Sequence, residues 1–103
     1  MTSPTSTRIQ ALLQAKRSQI LAIADRHGAH NIRVFGSVAR AEATETSDID
    51  LLVDYDPDRR SPWFPVGLVQ DLEGLLGRKV EVATPAMLKE RIRDRVMQEA
   101  IPL

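Results

Sequence analysis

The sequence predicts a small α+β domain: a mixed β-sheet of three to four strands with helices packed on one face. Three observations predict it. Apolar residues recur at helical spacing in three segments, short apolar strand-like runs lie between them, and the elements come in the order helix, strand, strand, helix, strand, helix. A chain of 103 residues has room for one core, so residues 6–103 read as a single domain and residues 1–5, polar and proline-containing, as a flexible N-terminus.

Each element has its own signal. Ser6 or Thr7 is placed to cap a first helix running to about His27, with Ile9, Leu12, Leu13, Ile20, Ile23 and Ala24 on its core face and Gly28 as its stop. Ile32-Arg33-Val34-Phe35 then reads as a short strand ending at Gly36, and Ile49 to Tyr55 as a second. Residues 56–65, DPDRRSPWFP, contain three prolines and read as a loop. Val66, Leu68, Val69, Leu72, Leu75 and Leu76 mark a second amphipathic helix stopped by Gly77, and Lys79 to Ala83 a third strand. Thr84 is placed to cap the last helix with Pro85 at its first position, where a missing N–H costs nothing. Leu88, Ile92 and Val96 form its stripe before the apolar tail Ile101-Pro102-Leu103.

Composition excludes several classes. There are 14 basic and 14 acidic residues, so no global field draws in nucleic acid or a membrane surface, and direct nucleic-acid binding is not expected. No cysteine is present, which rules out disulfides and thiolate metal sites. No apolar run approaches the roughly 20 residues of a membrane span. MTSPTSTR does not resemble a signal peptide, and a cytoplasmic location is expected.

The stretch FGSVARAEATETSDIDLLVDY, residues 35 to 55, carries the chemistry. Side chains two apart on a strand share a face, with α-carbons roughly 6.6 to 7 Å apart. Asp48 and Asp50 therefore point together, opposite Ile49, Leu51 and Val53. Carboxylates so close repel, and a divalent cation relieves them; Mg²⁺ binds through one or two carboxylates plus substrate phosphates. A solvent-facing acidic strand edge would look the same. Gly36 lets backbone approach a ligand, Ser37 offers a hydroxyl, and Arg40 offers a bidentate donor to phosphate. Glu81, between Val80 and Val82, faces as Asp50 does and is a candidate metal ligand or general base.

Gly36-Ser37, ten residues, Asp48-x-Asp50, and a hydrophobic-flanked acid at Glu81 resemble the signature of the DNA polymerase β-like nucleotidyltransferase superfamily. With GRKVEVATPAML and the closing EAIPL, the chain resembles the minimal nucleotidyltransferases, antitoxins encoded beside HEPN-domain toxins. The resemblance implies a fold with the active site on the sheet face away from the helices, and an enzyme that uses ATP and Mg²⁺ to transfer AMP to a tyrosine of a partner HEPN ribonuclease. It implies a hetero-oligomer with that toxin. Carried over by position, Gly36, Ser37, Arg40 and Ser47 contact the nucleotide, Asp48 and Asp50 bind Mg²⁺, and Glu81 serves as base or shares the second metal. Two positions depart from the family pattern. Ala41 stands where glycine is frequent after this arginine, which predicts a loop of different shape because alanine adopts positive φ only at a cost. Glu81 is one methylene longer than the usual aspartate. A member that has lost catalysis and neutralises its toxin by binding alone is the alternative, and a transferase acting on nucleic acid or a small molecule is a third reading.

Other candidates carry less. Trp63-Phe64 suits adenine stacking, a partner contact or a core plug equally. Lys89, Arg91, Arg93 and Arg95 against Glu90, Asp94 and Glu99 read as a solvated face of ion pairs. His27 and His30 read as helix-capping or surface histidines, and Asp54, Asp56 and Asp58 as solvated.

Overall fold

A computed structural model of the chain describes residues 3–59 and 63–103. Helix α1 (Pro4–Ala15) leads into α2 (Arg17–Arg26), then β1 (Ala29–Phe35), the single turn α3 (Gly36–Ala39), β2 (Ile49–Tyr55), α4 (Val66–Leu76), β3 (Val80–Ala83), α5 (Glu90–Glu99) and β4 (Ile101–Pro102). The strands form one mixed sheet in the order β3-β2-β1-β4, with β1 antiparallel to β2 and β4, and β2 parallel to β3. The expected α+β class with three to four strands holds, at four strands. Among the described residues no helix is long and apolar enough to cross a membrane.

Alternation along the central strand builds two faces. Ile49, Leu51 and Val53 are fully buried in the main core with Ile32 and Val34 of β1, Val80 and Val82 of β3, Ile9 and Leu13 of α1, Ile20 and Ile23 of α2, and Leu68, Leu72 and Leu76 of α4. Full burial of one such side chain contributes about 1.5–3 kcal/mol. Leu52 points the other way and packs with Leu88 and Val96, flanked by Phe35, Ala83 and Ala100. Helix α5 therefore covers part of the face opposite the long helices, and the acids occupy the rest.

Several boundaries differ from the sequence reading. The first helix is two helices broken at Lys16. The halves have different partners: α1 packs against α3, whereas α2 lies on β1 and α4. The cap is Ser3, whose Oγ accepts the Ser6 N–H at 3.0 Å. Residues 3–5 are thus structured rather than frayed, and Thr5 and Ser6 are buried; Met1 and Thr2 lie outside the described residues. Strand β1 starts three residues early, across an irregularity in pairing between His30 and Arg33 where Asn31 has φ 51°. That irregularity breaks the alternation the sequence would have shown. Residues Pro85–Met87 make only a short 3₁₀ turn, α5 begins at Glu90, and Thr84 forms no side-chain cap. Gly77 does end α4, in the left-handed region at φ 67°. Of the proline loop, residues 60–62 lie outside the described residues.

Candidate active site

The site forms where β1 ends and β2 begins. Strand β1 delivers the chain to Gly36, which has φ 73°, and the pairing of Phe35 with Asp50 sets it beside the second aspartate. Glycine is required there twice. Its φ is one that residues with a side chain rarely adopt, and a Cβ at that position would lie 2.1 Å from Asp50 Oδ2. The turn continues through half-buried Ser37 to Arg40, whose N–H bonds the Gly36 carbonyl at 3.0 Å.

Ala41 adopts φ 62°, so the loop takes a positive-φ form despite the cost to alanine. Its N–H donates to the Val38 carbonyl and its carbonyl accepts the Ser3 N–H, both at 3.1 Å. The N-terminal residues also fasten the segment beyond: Ser6 Oγ accepts the Ala43 N–H and Ser3 Oγ donates to the Ala43 carbonyl, each at 2.8 Å. These bonds outweigh the backbone cost at residue 41. Ser47 accepts the Thr44 N–H on its hydroxyl at 2.9 Å, closing the turn that leads to Asp48.

The acids converge from three segments. Asp48 is half-buried one residue before β2, Asp50 lies within β2, and Glu81 is its register partner on β3. Burial pushes the Asp50 carboxyl up to about 7, aided by the hydrogen bond that its protonated form donates to Glu81, by the charge of Glu81 and by the charge of Asp48, while Arg40 opposes the rise. Among the described residues no group of three or more His, Cys, Asp or Glu side chains surrounds a common point fit for a metal ion. Asp48, Asp50 and Glu81 thus form a cluster rather than a finished cage. Hard carboxylate oxygens crowded this way suit Mg²⁺, which completes its shell with phosphate oxygens and water.

Two basic residues at the site, Arg78 and Lys79, have no role assigned from the sequence. Arg78 donates to the Ser47 carbonyl at 3.2 Å and the Glu45 carbonyl at 3.5 Å, bracing the approach to Asp48. With Lys79 and Asp48 it lines a cleft of about 310 Å³. The available signal was the basic pair directly after the helix-ending Gly77. Arg40 is already engaged, by Glu42 at 3.4 Å and by Glu99 at 3.2 Å.

The remaining candidates sit elsewhere or have partners. Phe64 packs on the core with its ring 5.3 Å from that of Tyr55. Trp63 is 76 % exposed beside His27 and Asp71. Tyr55 pairs with Ala29 at the end of the β1–β2 ladder remote from Asp50, so this loop is five residues, roughly 16 Å, from the acids. Adenine stacking by Trp63 finds no support. His27 caps α2, but its ring is largely buried and bonded to Asp71 at 2.7 Å. Asp54 is paired with Arg33 at 2.9 Å rather than solvated, and Arg93 spans to the carbonyls of Pro85 and Leu88.

This geometry has known counterparts. The nucleotidyltransferase domain family matches residues 17–103. A solved structure provisionally named a minimal nucleotidyltransferase superposes with a TM-score of 0.77 at 47% identity, over 88% of this chain and 92% of that one. The chain belongs to the minimal nucleotidyltransferase family. Relatives of this nucleotidyltransferase include the protein adenylyltransferase MntA of Thermococcus cleftensis, 35% identical over 97 residues and 94% of each chain. A second, provisionally named a protein adenylyltransferase, comes from Methanocaldococcus jannaschii and is 38% identical over 85 residues, 82% of this chain and 90% of that one.

Proposed function

We propose that this nucleotidyltransferase is a Mg²⁺-dependent protein adenylyltransferase that moves AMP from ATP to a tyrosine of a partner HEPN ribonuclease, and so acts as an antitoxin. The observation that carries the reading is the placement of Asp50 and Glu81 side by side on adjacent strands, with Asp48 at the strand entry and Gly36 packed against Asp50. The names of the relatives support protein as the acceptor; the toxin partner and the tyrosine come from the resemblance.

In the transfer, the tyrosine oxygen forms a bond to the α-phosphorus, the bond to the bridging oxygen breaks, and pyrophosphate leaves. The hydroxyl proton passes to a carboxylate, for which Glu81 is the exposed member of the cluster. Asp48 and Asp50 are the residues to hold Mg²⁺, which when bound supplies charge neutralisation at the phosphates. Gly36 and Ser37 form the phosphate side, with Arg40 and Ser47 behind them. A binding-only antitoxin is the second reading, favoured by one observation: the Gly36 N–H and Arg40 are both occupied by Glu99.

The test is the intact mass of a HEPN partner after incubation with this protein, ATP and Mg²⁺. A gain of adenylate units that disappears in Asp48→Asn/Asp50→Asn is expected. An unchanged mass with the toxin silenced in a stable complex would establish the binding-only reading.

A further inference from the structure

The carboxylate that hydrogen-bonds the Gly36 N–H is not one of the three acids. Glu99, the last residue of α5, accepts the Gly36 N–H at 2.8 Å and the Arg40 guanidinium at 3.2 and 3.3 Å, with 15% of its side chain exposed. Gly36 also lies so close to Asp50 that a Cβ would come within 2.1 Å of Oδ2. The glycine is therefore held by two carboxylates: Glu99 grips its N–H, and Asp50 fills the space where a side chain would be. Arg40 has its Nε towards Glu42 at 3.4 Å and its terminal nitrogen on Glu99. Two of the three guanidinium nitrogens are thus engaged by carboxylates before a triphosphate arrives.

Helix α5 is suited to transmit this grip. Its buried Val96, with Leu88 just ahead of the helix, packs on Leu52, two residues along β2 from Asp50 on the same face. Gly36, Asp50 and Glu99 thus rest on one shared support.

We propose that Glu99 is a positioning residue of the nucleotide site: through the Gly36 N–H and Arg40 it fixes the phosphate turn against Asp50, and Arg40 serves this clamp rather than the triphosphate. The inference rests on the nucleotidyl-transfer reading above and assigns the C-terminal helix a part in it.

The experiment compares Glu99→Ala, Glu99→Gln and Arg40→Lys with the unaltered protein in AMP transfer, thermal melting and ¹⁵N NMR of the Gly36 amide. Glu99→Ala is expected to raise the KM for ATP about tenfold, whereas Glu99→Gln, whose amide oxygen still accepts the Gly36 N–H, stays within about threefold. Arg40→Lys falls between them. A lower KM for ATP in Glu99→Ala would overturn the proposal, because the carboxylate would then be competing with phosphate. A lowered melting temperature with KM unchanged would overturn it equally, leaving a structural contact only. Failure of the unaltered protein to transfer AMP would sink the enzymatic reading instead. The Gly36 amide still decides the clamp in that case: loss of its exchange protection in Glu99→Ala and retention in Glu99→Gln support it, and no change in either overturns it.

Discussion

Asp50 and Asp54 stand four residues apart on the same strand and the same face, yet their surroundings are opposite. Asp54 meets the Arg33 guanidinium at 2.9 Å and the Asn31 amide at 2.9 Å. Asp50 meets the Glu81 carboxylate, with the Asp48 charge nearby and only the distant help of Arg40. One aspartate is neutralised by its neighbours and the other is crowded by like charge. The difference separates a compensated acid from an uncompensated one: a fold seeking stability alone would have paired both. Behind them, Ile49, Leu51 and Val53 bury the reverse face completely, and that core holds the uncompensated cluster in place.

Removing the crowded acids gives the largest expected effect. Asp48→Asn with Asp50→Asn should lower AMP transfer by at least about 10³-fold, in the range found when charge-stabilising groups are deleted, while the melting temperature in EDTA at pH 8 rises. A fall in melting temperature would mean that Asp50 is as well compensated as Asp54. Leu51→Ala strikes the opposite face and should cost about 2–5 kcal/mol in urea unfolding. The transfer rate per folded molecule should change little; a large loss would show that the two faces are not separable.

The comparison can be sharpened by pH. The Asp50 carboxyl is raised from 3.8 to about 7 by folding, so between those values the folded state binds more protons than the unfolded one. Stability contributed by this group is therefore full below about 4, falls as pH rises, and is lost above about 7. Melting temperature in EDTA should decline across pH 4 to 7, the decline should flatten in Asp50→Asn, and added Mg²⁺ should restore stability at pH 8. An equal slope in the wild type and Asp50→Asn would remove the distinction between the two aspartates.

The crowded acids were legible in the sequence because strand alternation is a local property. Asp50 and Glu81 are each flanked by apolar residues whose burial forces the acid outward, Asp48 stands directly before the buried Ile49, and Gly36 marks the sharp end of β1. Glu99 was not legible. It sits 63 residues from Gly36 among alternating charges on α5, and such a run gives no sign that one member turns inward. Arg33, Arg78 and Ser3 escaped for the same reason: each acts on a segment distant in sequence. The break at Lys16 was hidden because the apolar spacing continues through it, and what divides α1 from α2 is their different packing partners. Chain-local periodicity shows where an element lies, whereas the long-range hydrogen bonds that finish the site have no period.

The smallest effect concerns the backbone of the turn. Ala41 holds φ 62°, a region that costs a non-glycine residue about 1–2 kcal/mol. Relieving it by Ala41→Gly also lets the unfolded chain gain entropy, which subtracts part of the benefit. The net expectation is a stabilisation of about 0.5–1 kcal/mol, read as a higher urea midpoint. Activity separates two accounts of the strain. If the turn is held open by Ser3, Ser6 and Glu99, as their hydrogen bonds imply, the geometry at Gly36 survives the substitution and the KM for ATP is unchanged. A higher KM for ATP in Ala41→Gly would mean that the alanine itself stiffens the turn, and that the strained residue belongs with Asp50 among the features kept at a cost to stability.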